Sequence, residues 1–158
     1  MEPGQKFEKR ADDEDPFNVS TYQSAIGSLN YAAIATRPDI SLAVSKLSQF
    51  MQSPSQTHWI AVKRIMRYIK GTINYGLKFT YSNEFKLYGY SDSDWAGCVM
   101  SRKSTSGHVF RIGGCTVSWR SKKQSIVALS STEAEYVALC EAAQETSWLR
   151  HLLHDIGH

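Results

Sequence analysis

Tyr90-Ser91-Asp92-Ser93-Asp94-Trp95-Ala96-Gly97 and, 43 residues beyond Asp92, Glu135 within Leu129-Ser130-Ser131-Thr132-Glu133-Ala134-Glu135-Tyr136 decide how this chain is read. Phe85 to Asp92 is short and rich in aromatic residues, as a strand is, and it ends on a carboxylate. Ser131 or Thr132 can cap a long helix that carries Glu133 and Glu135 in its favourable first turn. Ala134, Ala138, Ala142, Leu149, Leu153 and Ile156 give that helix an apolar stripe. A strand and a helix packed across it can each present one carboxylate. Phosphodiester hydrolysis by two metal ions needs such a cluster, holding cations roughly 3.5–4 Å apart. Mg²⁺ takes oxygen ligands and keeps waters, which suits Asp and Glu. Asp92 and Glu135 are therefore the candidate catalytic and metal-ligating residues. Asp94 and Glu133 have simpler roles as a turn residue and a helix N-terminal charge. Asp155 lies twenty helical residues beyond Glu135, about 30 Å along the axis, too far to close the cluster.

Outward from these segments the chain divides. Thr105 to Ile112 and Cys115 to Ser121 read as strands joined by Gly113-Gly114, the composition of a tight hairpin turn. The order is strand, strand, strand, helix over residues 75–158. Residues 17–74 carry three helical patterns instead. Tyr22, Ile26, Leu29 and Ala33 form the first. Ile40, Ala43, Val44, Leu47, Phe50 and Met51 form the second, with Pro38 where a first turn tolerates it. Trp59, Val62, Ile65, Met66 and Ile69 form the third, opened by Ser53-Pro54-Ser55-Gln56-Thr57 and closed by Gly71. Residues 1–16 set three basic against six acidic side chains, close on Pro16 and read as a disordered acidic tail.

The net charge of +3 is thus a basic body of +6 behind an acidic tail of −3, compatible with nucleic-acid contact and equally with an ordinary solvated surface. Lys63, Arg67 and Lys70 share one helix face, and Arg102, Lys103, Arg120, Lys122 and Lys123 cluster about the hairpin. These are the candidate nucleic-acid-binding residues. Cys98, Cys115 and Cys140 form no CxxC pair, and reduced thiols suit an intracellular protein, in cytoplasm or nucleus. No apolar signal region and no stretch of transmembrane length is visible, so no membrane partner is expected. His151 and His154 could hold a metal but suit a solvated helix end, and Trp95, Trp119 and Trp148 read as core residues.

Several phrases together resemble the polyprotein of copia-type (Ty1/copia) long-terminal-repeat retrotransposons. They are Tyr22-Gln23-Ser24-Ala25-Ile26-Gly27-Ser28-Leu29-Asn30-Tyr31, Thr36-Arg37-Pro38-Asp39-Ile40, Arg67-Tyr68-Ile69-Lys70-Gly71-Thr72, Ser91 to Gly97, Arg102-Lys103-Ser104-Thr105-Ser106-Gly107 and Leu129 to Tyr136. The resemblance implies a connection region followed by the first half of an RNase H domain, an α/β fold of three antiparallel strands and one long helix. It implies that Asp92 and Glu135 are the first two metal ligands, that Mg²⁺ is the cofactor of a complete site, and that an RNA/DNA hybrid is the substrate. The family continues into a fourth strand that carries the third ligand, and later a fourth Asp; neither follows within these residues, so the fragment is expected to be truncated and catalytically incompetent alone. A missing fourth strand would leave the strand 85–92 with an open edge, and self-association through it is expected. A different reading is a secreted oomycete effector of the Arg-x-Leu-Arg type, derived from a retrotransposon and binding a protein inside host cells. Arg64-Ile65-Met66-Arg67 is a near match to that motif.

Overall fold

The computed structural model describes residues 7–11, 14–81 and 85–158, which form two compact units, one up to Leu77 and one from Lys78. It is an α/β chain of four helices and one three-stranded antiparallel sheet.

The first unit is helical. Helix α1 spans Val19–Ala35, a 3₁₀ turn Pro38–Ile40, α2 Ser41–Ser48 and α3 Gln56–Gly71. The four periodic positions of α1, Tyr22, Ile26, Leu29 and Ala33, are all buried, against Ile40, Val44, Leu47, Phe50, Ala61, Val62 and Ile65. Asn18 caps α1 through its side-chain oxygen, which accepts the Thr21 N–H. The Tyr22 hydroxyl donates to the Leu47 carbonyl at 2.9 Å, so its polar end is satisfied where it is buried. Arg37 is buried and bidentate on Asp39, and it also donates to the Thr72 carbonyl and hydroxyl. Tyr68 donates to the same Asp39 carboxylate. The Arg37 hydrogen bonds hold the Asp39 carboxyl below its ordinary range against an opposing effect of burial. This network ties the α1–α2 connection to the C-terminal end of α3.

Of the segment expected to be disordered, residues 1–6, 12 and 13 lie outside the described residues. Phe7 packs against Phe50 and His58, with ring centroids 6.3 and 5.8 Å away. Phe17 stacks on Trp59.

The second unit holds β1 (Leu87–Ser93), β2 (Thr105–Ile112), β3 (Cys115–Lys123) and α4 (Ser131–Asp155). The sheet order is β1-β2-β3, which makes β1 an edge strand among the described residues. Gly113 and Gly114 both take positive φ, 55° and 84°, as the two-residue β2–β3 turn requires. A bulge between Phe110 and Arg111 shifts the β2–β3 register. Phe110 is the hub of the unit: it is buried against Ala142 and Leu149 of α4, with Leu87 beside it. Gly89 lies opposite Phe110 in the ladder, and a Cβ there would stand 2.4 Å from the Phe110 ring.

Three expectations are corrected. The N-cap of α4 is Ser130, not Ser131 or Thr132, because the Ser130 hydroxyl accepts the Glu133 N–H. Trp95 and Trp148 are each 56% exposed and so are not core residues. Trp95 stands in the loop after β1, where its indole N–H donates to the Ala128 carbonyl; Trp148 is outside the buried α4 stripe of Ala134, Ala138, Ala142 and Leu149. The strand expected over 85–92 is Leu87–Ser93.

Two outcomes follow. Gly89→Ala should cost about 1–3 kcal/mol in urea unfolding of the second unit, since the added Cβ would push the Phe110 ring out of its buried position. His58 is buried and its Nδ1 accepts the Ser55 N–H at 3.1 Å, a capping-box contact made by the neutral ring. Burial lowers its pKa from the ordinary 6.5, against smaller opposing pulls from the Glu8 backbone and the Glu14 charge. The unfolded chain therefore binds the proton more readily. Stability from His58 is complete above pH 6.5 and falls as the pH drops below it. Unfolding of the first unit at about pH 7.5 and about pH 5 should show that loss, and His58→Gln should flatten it.

Candidate metal centre

Asp92 and Glu135 open onto one cleft of about 420 Å³, lined also by Ser91, Thr132, Tyr136 and Leu139. Asp92 is next to last in β1, and Glu135 is in the second turn of α4, N-terminal to the contact that Phe110 makes with Ala142. Both carboxylates are exposed. An edge strand borders a groove with residues of both its faces, so Ser91 and Asp92 line the cleft together. Two carboxylates on one cleft are a donor set that fits a hard divalent cation. Among the described residues no group of three or more His, Cys, Asp or Glu side chains is placed to hold a metal ion.

The neighbouring acids serve the fold. An Asp94 carboxylate oxygen accepts the Thr105 N–H, its backbone N–H donates to the Thr105 carbonyl, and a Cβ on Gly97 would stand 2.1 Å from its other oxygen. Asp94 thereby closes the loop between β1 and β2. Glu133 accepts the Leu129 N–H at 2.7 Å while the Ser130 hydroxyl accepts the Glu133 N–H, a reciprocal cap on α4.

The cations fall in two groups. Lys63, Arg67 and Lys70 are exposed on α3 in the first unit. In the second unit Arg102, Arg120 and Lys122 are exposed, whereas Lys103 and Lys123 are half-buried. The Lys103 ammonium donates to the Ser125 carbonyl, and that of Lys123 lies 3.9 Å from the Cys98 sulfur. Arg120 pairs across the ladder with His108, whose pKa is lowered by burial.

Sequence reasoning missed Thr132, Tyr136 and Leu139 as cleft residues. Their signal was present, because they recur with Glu135 at three- and four-residue helical spacing. A second groove of about 630 Å³ lies beside the first, lined among others by Gly89, Tyr90, Leu139, Ala143, Ser147 and Arg150. His151 and His154 also line it. Asp94 and Glu133 are thus engaged in hydrogen bonds of the fold, whereas Asp92 and Glu135 line the cleft. Asp92→Asn and Glu135→Gln should leave unfolding free energy within about 0.5 kcal/mol. Asp94→Ala should cost about 1–3 kcal/mol in the same urea titration, because the Thr105 N–H loses its partner.

The chain is 58% identical over 128 residues to a protein of Plasmopara viticola named secreted RxLR effector protein 161, covering 81% of this chain and 90% of that protein. It is 48% identical over 136 residues to the retrovirus-related Pol polyprotein from transposon TNT 1-94 of Nicotiana tabacum, and 46% identical over 136 residues to that from transposon RE1 of Arabidopsis thaliana. Each of those two matches takes in 86% of this chain but only 10% and 9% of the respective polyprotein. No protein-family model matches the chain, and no solved structure matches it. Identity at this level across most of the chain, to polyproteins of several transposons, shows that it belongs to the family of copia-type retrotransposon Pol polyproteins.

Proposed function

We propose that the second unit is an RNase H-like half-site in which Asp92 and Glu135 hold Mg²⁺ against the phosphodiester backbone of an RNA/DNA hybrid. The observation that carries this reading is the single cleft shared by the two carboxylates, one from β1 and one from α4. Bound Mg²⁺ would supply charge stabilisation at a phosphoryl oxygen. Asp92 and Glu135 hold the cation, and Thr132 and Tyr136 border the space in which a backbone phosphate would lie. In the second unit Arg102, Arg120 and Lys122 contribute phosphate contacts, with the remaining hairpin cations Lys103 and Lys123 held closer to the protein; Lys63, Arg67 and Lys70 form a separate basic face of the first unit. Two carboxylates leave a two-metal site incomplete, so on this reading hydrolysis needs further carboxylates beside Asp92 and Glu135.

A second reading is favoured by the effector name of the Plasmopara viticola relative. On it the chain acts by binding a protein inside host cells, and Asp92 is dispensable. Arg64-Ile65-Met66-Arg67 lies in the middle of α3 with Ile65 buried, which sets it apart from an accessible export signal. Among the described residues no helix is long and apolar enough to cross a membrane.

Titration with Mn²⁺ should broaden the amide resonances of Ser91, Asp92, Glu135 and Tyr136 first, and Asp92→Asn should abolish the effect. A labelled RNA/DNA hybrid should survive incubation with the chain and Mg²⁺ or Mn²⁺. Cleavage lost in Asp92→Ala would show that the site is complete. Absence of any Asp92-dependent broadening would leave the effector reading.

A further inference from the structure

We propose that Trp95 is a stacking platform for an unpaired base of a single-stranded nucleic acid, with Arg102 and Lys122 on the phosphates of that strand. The ring is fixed before any ligand arrives. Both neighbours of Trp95 are tied across the loop between β1 and β2. The Asp94 N–H donates to the Thr105 carbonyl at 3.1 Å, and the Ala96 N–H donates to the Ser104 hydroxyl at 3.0 Å. The indole N–H donates to the Ala128 carbonyl at 3.3 Å, which pins the ring to the loop between β3 and α4. The Lys103 ammonium on the Ser125 carbonyl and the Gln124 N–H on the Ser104 carbonyl join the same two loops. The ring so held is still 56% exposed.

With its N–H already satisfied, the indole presents ring carbon to water. A flat ring of that kind matches a nucleobase, which offers a π-face whatever its identity. The hydrogen bond to Ala128 also removes most of the rotation that an exposed side chain keeps. Stacking a base on it therefore orders little further. Ile126 and Val127, both exposed, stand in the loop that pins the ring and add apolar surface there.

Charge selects the occupant. Residues 94–104 and 122–130 hold four cations, Arg102, Lys103, Lys122 and Lys123, against one acid, Asp94, whose carboxylate accepts the Thr105 N–H. Lys123 pairs with Thr105 and Lys122 with Ser106, so the end of β3 runs beside the point where the Trp95 loop re-enters the sheet. Arg102 and Lys122 are exposed there, and Lys103 and Lys123, half-buried, add to the positive potential behind them. An apolar peptide would use the ring and leave the cations idle, and an acidic peptide would do the reverse. A single strand has both the phosphates and the unpaired bases. The platform rests on the phosphate contacts of Arg102 and Lys122 in the hybrid reading, but it needs neither a metal ion nor Asp92 and Glu135.

Anisotropy of a labelled oligothymidylate with the full chain, in metal-free buffer of low salt, tests this. The unsubstituted chain should bind, and Trp95→Ala should weaken binding by about five- to a hundredfold, the range that one stacked base supplies. Trp95→Phe keeps a flat ring and should lose less. Trp95→Ala should leave the salt dependence unchanged, whereas Arg102→Ala should lower its log–log slope by about one. A strand of abasic sites removes the bases instead. It should bind the unsubstituted chain as weakly as oligothymidylate binds Trp95→Ala, and that substitution should then cost nothing further. Equal losses on the two strands would show that the ring acts through the fold, and would overturn the platform. So would single-strand binding indifferent to Trp95. Absence of binding by the folded chain would overturn it too and leave the ring as a contact for a protein. On a blunt RNA/DNA hybrid Trp95→Ala should change affinity less than about twofold, because duplex bases already stack on one another. The buffer holds no divalent cation, so the metal reading can fail while this one stands. Circular dichroism checks folding. Should Trp95→Ala not fold, the unsubstituted chain decides, and equal affinity for the intact and abasic strands would overturn the platform.

Discussion

The second unit depends on one contact, the Phe110 ring filling the space that Gly89 leaves open and pressing on Ala142 and Leu149. Small residues on either side of a large ring let the helix come down onto the sheet. Ala134, Ala138 and Ala142 bring α4 close, and the ring fills what they leave. This one packing decision sets the height and axial position of α4 over β1. Through them it sets where Glu135 stands relative to Asp92. The cleft is a by-product of the core rather than a pocket with supports of its own. The neighbouring acids finish the arrangement, Asp94 by closing the loop that leaves β1 and Glu133 by capping the helix that carries Glu135.

Much of this was legible in the sequence because it is written in local patterns. The α1 stripe of Tyr22, Ile26, Leu29 and Ala33 is buried position for position. Gly113-Gly114 is the tight turn its composition announces, since two consecutive residues with positive φ leave little choice but glycine. The helix cap lies one or two residues before the expected Ser131 or Thr132 because Ser130, Ser131 and Thr132 are chemically alike as caps, and only the geometry of the Glu133 N–H distinguishes them. The tryptophans misled because size was taken for burial. Trp95 and Trp148 show that a large ring half in contact and half in water is an ordinary outcome. The Arg37 network was not legible at all. It joins Arg37 to Thr72, 35 positions apart, and no periodicity reports a contact of that kind.

The relatives place the chain in a lineage whose polyproteins are far longer than it is, while one relative of nearly its own length carries an effector's name. Descent and present use are separate physical questions here. A two-metal site depends on carboxylate count and spacing, whereas a binding surface depends on exposed charge and aromatic side chains. In the second unit the exposed aromatic side chains Tyr88 and Tyr90 lie on the same strand as Asp92.

Ile65 carries a further consequence. It is packed among Tyr22, Val44 and Val62 in the core of the first unit, and it is also the second residue of Arg64-Ile65-Met66-Arg67. A receptor that recognised those four residues as an extended peptide would have to unwind α3 and withdraw Ile65 from that core. Its binding energy would be reduced by the free energy of folding, which for a natural domain is about 5–15 kcal/mol. Recognition of the motif is thus thermodynamically coupled to the integrity of the whole helical unit. A short synthetic peptide with the same four residues bears no such coupling, and its affinity would overstate that of the folded protein.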